Sequence, residues 1–346
     1  MSLRPLLAVS MGDPVGIGPE VIVKALSVGE VQGDADYVVY GDPDVLQKAA
    51  DLAHTRAVIE RVDTPSAARR QTKDPVIFVI PTPTSLADDF VWARPTQASD
   101  RAQLDAIEQG VQAIFDGTVD GICTGPISKA SIARAGSPFP GHTEMLASLC
   151  AKNDGTAREP VMMLAGDHLK VVPLTTHVAL SEVPGLLTID LVAHGIRVTH
   201  DTLITHFGRR KPRIAVAGLN PHAGESGMFG GEEKSIITPA ILRMQAEGIL
   251  VSGPMPADTV FRRALEGEFD VVIGMYHDQA LIPLKLLDFD RAVNVTLGLP
   301  LLRTSVDHGT AYDLAGKGVA SAGSMIAAMR LLASMVRERR RSDDQS

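Results

Sequence analysis

The chain has 346 residues and a formal net charge of −8; it is 45% hydrophobic but only 4% aromatic, with 31 Gly and 22 Pro. That length exceeds what a single hydrophobic core usually spans, so two domains are expected, and the aliphatic, turn-rich composition belongs with α/β globular chains, not fibres or disordered ones. The acidic balance excludes non-specific nucleic-acid binding, and no run of about 18 apolar residues is present to cross a membrane.

The opening Met1-Ser2-Leu3-Arg4-Pro5 carries no signal-peptide pattern, because Asp13 and Pro14 interrupt the first apolar run. In chain order, residues 6–11 read as a strand, 21–26 as a helix, and 37–41 and 76–80 as further strands. The clearest helix spans 99–116, where Leu104, Ile107, Val111 and Ile114 recur on one face. Residues 120–125 form a short buried strand. Residues 161–165 and 169–174 read as a hairpin with Gly166-Asp167 at its turn. A helix is expected from about Val183, with Ser181 as its cap and Pro184 in its first turn. Residues 214–218 read as a strand, 232–247 as a helix, 271–275 as a strand and 320–337 as a final helix. The charged segment 337–346 reads as a solvated helix end and frayed terminus. Alternating strands and helices imply a largely parallel sheet covered on both faces, whose ligands bind beyond the carboxyl ends of the strands. Two cysteines, Cys123 and Cys150, read as reduced thiols of a cytoplasmic enzyme.

Three apolar runs lead into histidine at that edge: 171–174 into His177, 216–219 into His222, and 271–275 into His277. Separations of 45 and 55 residues are unlike a zinc finger and fit a site assembled by the fold. Three imidazoles suit a divalent cation such as Zn²⁺ with one position left for substrate; a hydrogen-bonded structural role is the alternative for each. His54, His168, His194, His200 and His206 read as surface or packing residues. His142 and Thr143 open a helix whose free N–H groups could receive an anion, or the helix could be capped by its own Thr143 and Glu144. Lys285, Asn294 and Arg303 each adjoin apolar residues, so each either snorkels or points into a pocket, where Lys and Arg would suit a phosphate. Residues 12–20, GDPVGIGPE, lack the spacing of a Rossmann fingerprint or a Walker loop and read as a demanding turn facing the cleft.

The segments MGDPVGIGPE, GHTE, TTH, LNPHAGE, PADT, YHDQ and VNVTLGLPLLRTSVDHGTA, in that order over nearly the whole chain, strongly resemble the 4-hydroxythreonine-4-phosphate dehydrogenase family of vitamin B6 synthesis. The resemblance implies an isocitrate/isopropylmalate dehydrogenase-like fold of two α/β domains with the active-site cleft between them. Approximate boundaries are 1–128 plus 304–346 for the domain carrying both termini, and 129–303 for the domain with metal ligands and dimer interface. It implies NAD-dependent, metal-dependent oxidation with decarboxylation of 4-phosphooxy-L-threonine to 3-amino-2-oxopropyl phosphate, in a homodimer with shared active sites and one ligand histidine from the partner subunit. By position His177, His222 and His277 match the metal ligands, with zinc ahead of magnesium or cobalt. His142, Thr143, Lys285, Asn294 and Arg303 match substrate contacts. No residue is assigned to NAD, and Asp258 and Asp278 both stand as candidates for the acid/base. Ala280, Ala292 and Leu301-Leu302 depart from the residues frequent in the family, near the expected substrate end. Relatives oxidise D-threonate or D-erythronate 4-phosphate in sugar-acid catabolism, which is the alternative activity; more distant ones act on cis-dihydrodiols of aromatic acids.

Overall fold

A computed structural model describes residues 4–69, 75–86 and 90–344. Met1–Leu3, in the opening read for a signal peptide, and Gln345-Ser346, at the end of the charged tail, lie outside the described residues. The chain divides into two compact units, Met1–Pro160 with Leu299–Arg337, and Val161–Gly298 with Glu338–Ser346.

The first unit is built from β1 (Leu6–Ser10), α1 (Gly18–Ser27), α2 (Gly29–Gln32), β2 (Asp36–Gly41), α3 (Pro43–Leu52), β3 (Val58–Arg61), β4 (Val76–Pro81), α4 (Gln97–Phe115), β5 (Gly121–Thr124), α5 (Lys129–Arg134) and α6 (His142–Asp154). In the second follow β6 (Val161–Ala165), β7 (Lys170–Thr175), α7 (Val183–Leu186), α8 (Ile189–Thr205), β8 (Ile214–Ala217), α9 (Thr238–Ala246), β9 (Val251–Met255), α10 (Ala257–Leu265), β10 (Val271–Tyr276), α11 (His277–Asp288) and β11 (Val293–Leu297). The first unit then resumes with β12 (Arg303–Val306) and with α12 (Gly323–Asp343) as far as Arg337; the last turns of α12, counted with the second unit, carry the charged tail on as helix through Asp343.

In the first unit all strands run parallel in the order β3-β4-β2-β1-β5-β12. Its central strand, Leu6-Leu7-Ala8-Val9-Ser10, is buried throughout, as a parallel strand covered on both faces must be. The periodic face of α4 packs Leu104, Ile107 and Val111 into a core shared with Leu6, Val38, Phe78 and Leu146. That helix begins where Thr96 and Ser99 cap each other: the Thr96 hydroxyl accepts the Ser99 N–H at 3.2 Å, and Ser99 Oγ accepts the Thr96 N–H at 2.7 Å.

The second unit has the order β11-β6-β7-β10-β8-β9. Strands β7, β10, β8 and β9 are mutually parallel, while β6 runs against both β7 and β11. The expected hairpin is present: Leu164 faces Val171, and Gly166 N–H donates to the Leu169 carbonyl at 2.8 Å. Its own core gathers Leu164, Val171, Ala217, Val260, Val272 and Leu284.

The helix expected from Val183 is only one turn, α7, and Ser181 caps nothing there. The long helix is α8, and its cap is Thr188, whose Oγ1 accepts the Leu191 N–H at 3.0 Å. Leu187, buried, breaks the two apart with extended backbone. Thr188→Ala is therefore expected to cost about 1 kcal/mol, whereas Ser181→Ala stays within about 0.5 kcal/mol of wild type, both read from the urea unfolding midpoint.

Candidate active site

Three adjacent parallel strands deliver the three histidines of interest. Thr175 of β7 pairs with Tyr276 of β10, and Ile273 of β10 with Val216 of β8. His177 follows β7 by two residues, His277 follows β10 directly as the first residue of α11, and His222 follows β8 by five. The next parallel strand, β9, leads into α10, where Asp258 stands exposed in the first turn. Four neighbouring strand ends thus present His177, His277 with Asp278, His222 and Asp258 in a row, at the carboxyl edge where parallel sheets place their chemistry.

The strand ends are stitched by side chains. Thr175 Oγ1 donates to the Met275 carbonyl at 2.9 Å, tying β7 to β10. Gln279 ties β10 to β8: its Oε1 accepts the Met275 N–H at 2.6 Å and its Nε2 donates to the Gly218 carbonyl at 2.8 Å. Sequence reasoning missed Gln279 as a functional support. The signal was present in YHDQ, a long polar side chain one turn into a helix that starts straight from a buried strand.

The imidazoles of His177 and His277 face each other with centroids 6.0 Å apart. They border a cleft of about 300 Å³ with Thr176, Leu180, Tyr276 and Asp278. Two rings on one cation at metal–nitrogen distances of about 2.0–2.1 Å bring their centroids roughly 5–6 Å apart, so this pair fits a shared ion. His277 Nδ1 lies 2.7 Å from Asp278 Oδ1, an arrangement that fixes the ring and leaves Nε2 for a ligand. Among the described residues, no group of three His, Cys, Asp or Glu of one chain gathers closely enough to hold a metal.

His222 stands in a run of left-handed backbone. His222, Ala223, Gly224, Glu225 and Ser226 have φ of 52°, 53°, 80°, 41° and 58°. For the non-glycine members this conformation costs roughly 1–2 kcal/mol each, and such strain persists where surrounding structure over-determines the backbone.

The first unit holds a different constellation. Arg303 is 2% exposed and donates to Thr124 Oγ1 from Nε at 3.1 Å and Nη2 at 2.9 Å. Burial pulls its guanidinium down to about 10, still charged at neutral pH. His142 opens α6, whose N-cap is Gly141, a residue with no side chain to cap the helix. Its Nε2 is sealed from solvent with no hydrogen-bond partner. Burial first, and the Arg303 charge second, hold the imidazole well below its ordinary value of 6.5. The pair therefore offers one buried cation and one neutral imidazole beside a helix N-terminus, a setting suited to an anion. Thr143, half-buried, is the next residue of that helix.

Lys285 and Asn294 belong to the second unit. Lys285 is half-buried on α11, its ammonium 5.9 Å from the Phe289 ring centre, and Asn294 lies on β11 opposite Leu164. The departures at Ala280, Ala292, Leu301 and Leu302 are all buried; none borders the His177–His277 cleft. His168 is more than a surface residue: its Nδ1 lies 2.7 Å from the buried Asp288, and that contact raises its pKa.

A parallel α/β sheet whose neighbouring strands end in imidazoles and a carboxylate, with a buried arginine and a neutral imidazole in the other unit, has the architecture of an α/β enzyme. The family model "Pyridoxal phosphate biosynthetic protein PdxA" matches residues 34–332, and the chain belongs to that family. It is 47% identical over 334 residues to the 4-hydroxythreonine-4-phosphate dehydrogenase of Geobacter metallireducens, covering 96% of each chain. Among solved structures it is similar to the 4-hydroxythreonine-4-phosphate dehydrogenase of Klebsiella pneumoniae (TM-score 0.86, 38% identity, 97% of this chain and 99% of that one). It is less similar to a terephthalate 1,2-cis-dihydrodiol dehydrogenase of Burkholderia xenovorans (TM-score 0.65, 28% identity, 95% and 97% covered).

His142 gives a pH prediction. A histidine held neutral in the fold takes up a proton on unfolding, so stability is full above the ordinary value of 6.5 and falls as pH drops below it. Between about pH 7 and about pH 5 the urea midpoint of His142→Gln should fall less than that of wild type. His206, pushed down to about 4 by burial, leaves a residual slope of the same sign in both. Parallel curves for the two proteins would remove His142 as a source of acid sensitivity.

Proposed function

We propose that this chain is an NAD-dependent oxidoreductase that oxidises and decarboxylates 4-phosphooxy-L-threonine to 3-amino-2-oxopropyl phosphate in pyridoxal phosphate synthesis. The observation that carries this reading is the row of histidines on adjacent strand ends in a chain of the PdxA family. His177, His222 and His277 are the residues that would hold a divalent cation, zinc first. When bound, the cation supplies Lewis-acid chemistry at the substrate hydroxyl, and the nicotinamide is the hydride acceptor.

The chain's own side chains orient and move protons. Asp278 is engaged with His277 Nδ1, which supports an orienting role and leaves Asp258, exposed in the first turn of α10, as the group to take the hydroxyl proton. Arg303, His142 and Thr143 are assigned to the charged part of the substrate, as are Lys285 and Asn294; fixing that end contributes to rate through orientation.

A homodimer belongs to this reading. Ile282 and Leu286 on α11 and Phe289 at its C-cap are 57%, 82% and 72% exposed, an apolar stripe along the helix that begins with His277, which a second copy would cover. Both cysteines are free and buried, in keeping with a cytoplasmic enzyme. Among the described residues no helix is long and apolar enough to cross a membrane.

The test is a substrate panel: 4-phosphooxy-L-threonine, D-threonate 4-phosphate and D-erythronate 4-phosphate with NAD, followed by NADH absorbance with and without a chelator. The first substrate is expected to dominate; a preference for either sugar acid reassigns the chain to sugar-acid catabolism. His222→Ala is expected to lose turnover while keeping its thermal midpoint, and normal turnover by that variant in metal-free buffer would overturn the ligand role. Arg303→Ala is expected to lose about 2–4 kcal/mol of transition-state binding, expressed mainly as a higher KM; an unchanged kcat/KM removes Arg303 from the substrate site.

A further inference from the structure

The left-handed run that carries His222 needs an anchor, and a buried carboxylate supplies one. Glu233, 5% exposed, opens a π-helical turn, Glu233–Ile237, a local irregularity often found at functional sites. Its Oε1 accepts the backbone N–H of Asn220 at 2.7 Å, and its Oε2 accepts the Asn220 side-chain amide at 3.0 Å. Glu232 Oε2 takes the same amide at 2.8 Å. Asn220 stands two residues before His222.

The glycines around the carboxylate are cut to fit it. A Cβ at Gly224, inside the left-handed run, would lie 2.7 Å from Glu233 Oε2, and one at Gly218, at the end of β8, 3.2 Å from Oε1. The carboxylate thus bonds to Asn220 before His222 and fills the space beside Gly224 after it. Burying a charged group is unfavourable unless it is well bonded, and here both oxygens are spent on one residue at the root of the histidine's loop.

We propose that Glu233 is a positioning residue: through Asn220 and the two glycines it holds the strained loop so that His222 meets the cation. The inference rests on the metal reading given above and adds a residue to it. The strain locates the role physically. A left-handed run of mostly non-glycine residues relaxes once its anchor goes, and His222 moves with it.

The experiment measures Zn²⁺ affinity by competition with a chromophoric chelator, on whole protein, for wild type, Glu233→Ala, Glu233→Gln, Asn220→Ala and His222→Ala. Thermal midpoints of the metal-free forms are recorded alongside. Glu233→Ala is expected to bind Zn²⁺ about 10–100-fold more weakly than wild type. Glu233→Gln, which keeps one oxygen for the Asn220 N–H, should fall between the two. Wild-type affinity in folded Glu233→Ala, with affinity lost in His222→Ala, overturns the proposal. If Glu233→Ala does not fold, the Gln and Asn220→Ala variants decide: weaker binding in both supports the role, and wild-type binding in both overturns it. Wild-type protein that binds no Zn²⁺ would instead overturn the metal reading itself, a result readable apart from the others.

Discussion

The parallel registration of β7, β10 and β8 is the constraint on which the second unit's chemistry depends. Neighbouring strands in a sheet lie about 4.8 Å apart, and parallel strands send all their carboxyl ends the same way. Residues distant in the chain therefore arrive side by side without any local motif. The hydroxyl of Thr175 and the amide of Gln279 lock the ends of those strands to one another. His177 and His277 inherit their spacing from that lock, so the histidine pair is a property of the sheet more than of either loop.

The two units contribute different chemistry. The second presents imidazoles and carboxylates at the carboxyl edge of its parallel strands, with Asp258 and Asp278 open to solvent. The first buries a guanidinium against Thr124 and keeps a neutral imidazole near it. Keeping His142 uncharged matters for that arrangement: a second positive charge beside Arg303 would repel it, while a neutral ring can still donate or accept a hydrogen bond.

Much of this was legible in the chain before any coordinates. The strands of pure aliphatic residues and the helical face of Leu104, Ile107 and Val111 declare themselves by period and by the residues that stop them. The histidines at 177, 222 and 277 were visible because each ends an apolar run. What stayed hidden depends on distant partners. Thr188 and not Ser181 starts the long helix because Leu187 is buried and extended there, which is decided by packing. The helix α11 was read only as a polar ending to a strand, since Pro283 and the abrupt switch from β10 masked its period. Glu233 looked like one more acidic residue of an ordinary helix; only its contact with Asn220, 13 residues earlier, marks it out. The burial of Ala280, Ala292, Leu301 and Leu302 was likewise not legible, because sequence gives neighbourhood along the chain and says nothing of depth.

The backbone around His222 also limits how this chain could drift over generations. Ala223, Glu225 and Ser226 share its positive dihedrals, a region that β-branched side chains almost never enter. A valine or isoleucine at any of these three places would be selected against for steric reasons alone, before its chemistry mattered. Glycine or asparagine would be sterically welcome, but glycine would loosen the peptide segment that must stay stiff. The narrow alphabet permitted there is set by torsion angles, and the imidazole is its beneficiary.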